Sequence, residues 1–282
     1  MRIPVFVRHL LLLLAFASPA LLRAQFQKPT DEELKMTADP KALGAAAVYL
    51  NVEKIPDDPL QYRSFYARIK VLTETGKKLA TISIPFRRSD EKVVDIKART
   101  IHADGTVIPL RDKPQDLTCS DVTTNNDDQR QMMCKAFALP SVEVGSILEY
   151  SYREEYESKL DQFATLHGHY TAPQWVIQRP YPVRKAHYVF TPNKEFLPHN
   201  IQSLSEHPMF QMGDDHQNTT KLQLNVLKWQ EKLPEGSKMR FDIRCFYSVD
   251  VTDIPPAPGE EPFQSDLYHV FFHYENVVGK NK

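Results

Sequence analysis

The feature that most constrains this chain is a succession of short segments in which apolar and polar residues alternate with a period of two. Phe65, Ala67, Ile69 and Val71 share one face of the segment Tyr62 to Thr73, and Ala80, Ile82, Ile84 and Phe86 share one face of Leu79 to Phe86. In Val93 to Ile101, Val94, Ile96 and Ala98 oppose Asp95, Lys97 and Arg99. Side chains alternate across a strand, so each segment reads as a strand with one buried face. Turn signals separate them: Thr75-Gly76, Asp104-Gly105 and Glu143-Val144-Gly145. Further strands are predicted at Thr106 to Leu110, Ala136 to Leu139, Ser146 to Tyr152, Trp175 to Gln178, Arg184 to Phe190, Lys221 to Trp229, Met239 to Val249 and Tyr268 to Tyr274. Ala45 to Val52 reads as a first strand rather than the end of helical structure. Twenty-one prolines against nine glycines fit short strands and structured loops. The fold class expected is mainly β, an antiparallel β-sandwich-like arrangement with a short N-terminal helix.

That helix starts at the capping-box pattern Thr30-Asp31-Glu32-Glu33 and ends before Asp39-Pro40. Residues 1–24 have the composition of a signal peptide: Arg2 and Arg8, the apolar run Leu10 to Ala17, then small residues. Cleavage after Ala15-Phe16-Ala17 and cleavage at Ala24-Gln25 both fit, and an uncleaved anchor is the alternative. The organisation expected is therefore a signal peptide (1–24), a helical lead-in (25–44), a first β part (45–160) and a second β part (161–282). The second part includes an extended proline-rich segment at 253–262. Export to the periplasm or the extracellular space follows, with a membrane contact only through an uncleaved leader. A formal net charge of −1 provides no basic face for nucleic acid.

Export permits disulfides. A two-residue loop at Asn126-Asp127 would place Cys119 directly opposite Cys134, with Cα atoms ~4.5–5.5 Å apart. A disulfide accepts that spacing, and two unpaired thiols in a hairpin are the alternative. Cys245 alternates in phase with Phe241, Ile243, Tyr247 and Val249, which predicts a buried, inert thiol in mid-strand.

Four stretches in order carry a family resemblance. They are Ile69 to Lys77 (IKVLTETGK), Lys97 to Val107 (KARTIHADGTV), Phe137 to Tyr150 (FALPSVEVGSILEY) and Asp253 to Pro262 (DIPPAPGEEP). Together they resemble the DUF3857 domain, a β-rich domain at the N-terminus of exported bacterial proteins with a transglutaminase-like, papain-type core. The resemblance covers roughly residues 45–275 and implies a non-catalytic module. Its implied partner is a transglutaminase-like domain, in the same polypeptide or on a separate protein. The domain has no established catalytic residues, so none carries over. The sequence stops about where such a core would begin.

Tests for chemistry within the chain itself point the same way. A catalytic thiol needs a nearby histidine or a helix N-terminus to lower its pKa, and none of the three cysteines has that context. His167 and His169 are two residues apart and would share one face of a strand, which makes them candidate metal ligands. No third ligand is identifiable, and structural zinc takes four. His269 and His273 have helical ligand spacing in strand context, where four residues span ~13 Å. Glu154, Glu155 and Glu157 read as solvated acids at a hairpin end. No cofactor is expected. Trp175, Tyr181, Tyr188, Trp229, Tyr268 and Tyr274 are the aromatics by which a stand-alone binding protein would hold an envelope glycan or peptide. A hydrolase with an unrecognised site is the remaining alternative.

Overall fold

The computed structural model describes residues 26–119, 132–156, 173–193, 209–211, 221–259 and 263–280. The chain divides into a small unit, Met1–Thr30, and a large one, Asp31–Lys282. In the small unit residues 26–30 have no regular secondary structure. The remaining description concerns the large unit. The predicted signal peptide lies outside the described residues, as do His167 and His169. Among the described residues no helix is long and apolar enough to cross a membrane.

Among the described residues the large unit is built mainly from strands, with a short α-helix, α1 (Asp31–Lys35), at its start. The strands are β1 (Ala47–Asp57), β2 (Tyr62–Val71), β3 (Thr81–Arg87), β4 (Glu91–Ile101), β5 (Val107–Pro109), β6 (Gln115–Thr118), β7 (Met132–Ala138) and β8 (Ile147–Tyr156). They continue with β9 (Gln174–Val176), β10 (Val183–Phe190), β11 (Met209–Gln211), β12 (Lys221–Lys232), β13 (Arg240–Asp242), β14 (Phe246–Ile254) and β15 (His269–Lys280). An eight-stranded sheet runs β13-β14-β10-β1-β2-β8-β4-β5. A three-stranded sheet, β3-β7-β6, and a four-stranded sheet, β11-β12-β15-β9, accompany it. Every pairing is antiparallel except β1 with β10, which is parallel. Strands from residues 45–160 and from 161–282 therefore share one sheet.

The inner face of the large sheet carries the main core. Val52, Ala67, Ile69, Leu148, Tyr188, Phe190 and Val249 pack with Ile82, Ile84 and Phe137 of the small sheet and with Trp175, Val270 and Phe272 of the other. This is a sandwich whose second layer is made of two sheets. The outer face carries a smaller cluster, where Met36 packs on Val48, Leu50, Ile101 and Ile147. Both faces of β1 are buried, Ala47 and Tyr49 in the main core and Val48 and Leu50 in the Met36 cluster, and the ladder breaks register between Tyr49 and Asn51. That bulge moves Val52 onto the face already held by Ala47 and Tyr49.

Three sequence expectations are corrected. Thr75-Gly76 does not close a hairpin: Glu74–Ala80 is a 3-10 helix, and β3 joins β7 rather than β2. Gly76 is required for close approach, since a Cβ there would lie 2.2 Å from the Ala46 carbonyl oxygen. In β4 the register shifts between Val94 and Lys97, with Asp95 at φ +53°, so Val93 takes the place expected of Val94 on the core face beside Ala98 and the half-buried Ile96. Cys245 is not in mid-strand. β13 and β14 form a hairpin with Ile243-Arg244-Cys245 as its loop, and Cys245 has φ +67°. Its N–H donates to the Asp242 carbonyl at 2.8 Å. This is the three-residue loop in which a turn is followed by a left-handed residue. The Asp242 carboxylate accepts from the Arg244 N–H at 2.8 Å and steadies the loop.

Candidate functional site

Charged residues that fall in phase with the apolar ones build the site. On β2, Arg63 continues the inward series Val71, Ile69, Ala67, Phe65. On β8, Glu154 continues Leu148, Tyr150, Tyr152. On β1, Lys54 follows Val52. The register brings them together: Lys54 faces Phe65, Phe65 faces Tyr152, and Arg63 faces Glu154. They lie on the inner face beyond the end of the apolar core. Together with Ile82, Ser83 and Ile84 of β3 and with Arg179 they line a cavity of about 260 Å³. Arg179 lies between β9 and β10.

The proline-rich segment helps to hold Arg179. The Arg179 carbonyl accepts from the Ala257 N–H at 2.7 Å. The neighbouring Gln178 amide donates to the Pro255 carbonyl at 3.4 Å, and its oxygen accepts from the Tyr268 N–H at 2.9 Å. The Arg179 guanidinium lies over the rings of Tyr49 and Phe65, 5.2 and 5.5 Å from their centroids. Among the described residues no carboxylate pairs with it. Its Nε and the Tyr188 hydroxyl are both buried without a hydrogen-bond partner, although they are close enough to interact electrostatically.

Electrostatics in the cavity follow from partial burial. Removal from water lowers Lys54 to about 8, against the opposing pull of Glu154. The same cause raises Glu154, with Arg63 and Lys54 acting against it. Tyr152 is raised well above the usual phenol range, first by burial and then by the Glu154 charge. Arg63 is shared between Glu91 at 3.6 Å and Glu154 at 3.8 Å. Glu154 is thus half-buried in an ionic cluster, which corrects its reading as a solvated hairpin-end acid; strand β8 extends through it because Arg63 and Lys54 offer it partners.

A second polar cluster sits on the outer face and has a structural role. Glu149 is fully buried and accepts from Arg68 Nη2 at 2.7 Å, Arg99 Nε at 2.6 Å and the Tyr66 hydroxyl at 2.6 Å. Arg68 also reaches Glu33 of α1 at 3.0 Å. Lys70 Nζ donates to the carbonyls of Leu34 and Gly145 at 2.8 and 2.6 Å. These contacts tie α1 and the residues after it to the sheet.

Cys119 and Cys134 form a disulfide with Cα atoms 5.2 Å apart. The register differs from the directly opposed pair expected: Cys134 faces Leu117, and Cys119 follows the last paired residue, Thr118. The chain makes the bond by leaving the ladder, where position is no longer set by the pleat. Cys245 is free, and its sulfur lies 3.7 Å from the Ile243 carbonyl. His269 is buried with Nδ1 2.8 Å from the Leu267 carbonyl, whereas His273 is exposed. Among the described residues no group of His, Cys, Asp or Glu has metal-binding geometry. Trp175 and Tyr188 are core residues with no exposure, and Trp229 is partly exposed over Tyr247.

Fold and cavity define a two-layer β-sandwich with a polar chamber between its layers. Residues 57–234 match the profile of a domain of unknown function with a solved structure, DUF3857, and the chain belongs to that family. No curated protein sequence is significantly similar to it. Among solved structures, the chain is similar to a crystal structure from Parabacteroides distasonis ATCC 8503, a protein provisionally named a protease. The likeness has a TM-score of 0.56 at 13% identity and covers 80% of this chain. It spans 40% of that longer chain, and at this identity it concerns the fold alone.

Proposed function

We propose that this chain is a non-catalytic exported β module that packs against or presents a transglutaminase-like domain, in cis or in trans. The observation that carries the reading is that the same sandwich accounts for 40% of a longer solved protein. A fold used as one part of a larger chain is suited to positioning a neighbour. The cysteines support the same view. Two are consumed in a disulfide, and the third sits in a hairpin turn beside Asp242 and Arg244 rather than beside a histidine. A thiolate nucleophile needs such a base within hydrogen-bond reach.

Cross-linking in the native host, followed by purification and mass spectrometry of the polypeptide carrying this sequence, tests the reading. Recovery of a transglutaminase-like domain, covalently continuous or cross-linked, is the expected result. Recovery of the chain with no such domain overturns it. The second reading, a binding protein for an envelope glycan or peptide, is favoured by the cavity and its Arg179 guanidinium, which no carboxylate among the described residues engages.

A further inference from the structure

We propose that the cavity between β3 and the large sheet captures the C-terminal carboxylate and last residue of a peptide. The inference goes beyond the accessory role and does not depend on it.

Three observations converge. The first is charge. Lys54, Arg63 and Arg179 line the cavity against a single lining carboxylate, Glu154. Arg63 is already engaged by Glu91 and Glu154, while Arg179 has no carboxylate among the described residues and keeps a buried Nε unpaired. A guanidinium that no carboxylate engages presents a fork whose geometry a planar carboxylate matches.

The second is a strand edge that no strand among the described residues pairs with. β3 lies at the edge of its sheet and pairs with β7 without a register break. Just before β3, the Ala80 carbonyl accepts from the Leu139 N–H, so even-numbered positions exchange hydrogen bonds with β7. The Arg87 N–H goes instead to Glu91 at 2.7 Å, and Pro85 has no N–H to donate. Odd-numbered positions therefore point their backbone groups away from β7. Ser83, which lines the cavity, turns its N–H and carbonyl to the open edge. A peptide backbone needs such a donor and acceptor side by side.

The third is size. At about 260 Å³ the cavity lies just below the ~300–1,000 Å³ range of drug-sized sites, so it admits one residue and not a chain. Phe65, Tyr150 and Tyr152 supply its apolar wall.

The test uses the full chain and three probes: an N-acetylated tetrapeptide ending in leucine with a free carboxylate, the same peptide as its carboxamide, and acetate. Calorimetry should show the acid binding with Kd of ~1 mM or tighter and the carboxamide at least ~10-fold more weakly. Arg179→Gln should remove the difference between acid and amide. Arg179 also packs on two rings, so a second variant guards against misfolding. The Ser83 N–H takes no part in the β7 ladder and Pro85 already occupies the equivalent position in β3, so Ser83→Pro should remove the edge donor and weaken binding of the acid at least ~10-fold with an unchanged melting temperature. Equal binding of acid and amide, undiminished binding by either variant, binding of acetate without the peptide, or no binding of the acid at ~10 mM would each overturn the proposal. None of these outcomes bears on whether a transglutaminase-like domain is attached.

Discussion

The carboxylate of Asp58 accepts a hydrogen bond from the hydroxyl of Tyr274, joining the end of β1 to the four-stranded sheet. The Tyr156 hydroxyl donates to the other carboxylate oxygen at 2.6 Å. Asp58 is buried, and burial raises its pKa despite both phenols. Between its ordinary value and the raised one, the folded chain holds more protons than the unfolded chain. Stability from this group therefore increases as pH falls through that window. In urea unfolding measured from neutral to acid pH, the wild-type chain should gain stability relative to Asp58→Asn as pH falls. A difference that does not vary with pH would refute this.

Glu149→Gln should destabilise the fold by about 3 kcal/mol, because it leaves Arg68 and Arg99 facing a neutral amide at a buried site. The exposed pair Arg153–Asp95 provides the contrast, and Asp95→Asn should cost less than ~1 kcal/mol. Chemical denaturation midpoints of the two variants give the comparison.

Native protein should show one thiol reactive to a disulfide reagent and three after reduction in denaturant, since Cys245 alone is free. Cys119→Ser should lower stability by ~3 kcal/mol, the loop-closure value for a separation of this length. Thiol titration and denaturation check the two statements.

Lys54 should be acylated by a small reagent with a midpoint near pH 8. Glu154→Gln should move that midpoint lower, because the Glu154 charge opposes the effect of burial. Quantitative mass spectrometry of the labelled peptide reads the profile. The linked effect on stability has a definite sign. From pH 8 toward 10.5 the unfolded chain holds more protons at this site, so Lys54 adds stability as pH rises.

Cys245→Gly should raise stability by up to ~1 kcal/mol, since a left-handed conformation costs a side-chain-bearing residue about 1–2 kcal/mol and glycine almost nothing. Thermal unfolding of the variant under reducing conditions checks it.

The alternation in β2 and β3 and the turn at Asp104-Gly105 are local in origin. Side-chain direction and turn conformation depend on a few adjacent residues, so the strands, the short helix and the mainly β class were legible in the sequence by itself. The in-phase charges Arg63, two before Phe65, and Glu154, two after Tyr152, mark where an apolar face turns polar, a signal that the expectation of a solvated Glu154 leaves unused. The sequence did not show which strands meet. β1 pairs in parallel with β10 across more than a hundred residues, and no local pattern encodes that choice. The bulges at Leu50 and Asp95, the slipped register at Cys134 and the left-handed turn at Cys245 each depend on what the neighbouring strand offers. The cavity was decided in the same way. Lys54, Arg63, Glu154 and Arg179 come from four separate segments: the register of β1, β2 and β8 gathers the first three, and the segment between β9 and β10 adds Arg179.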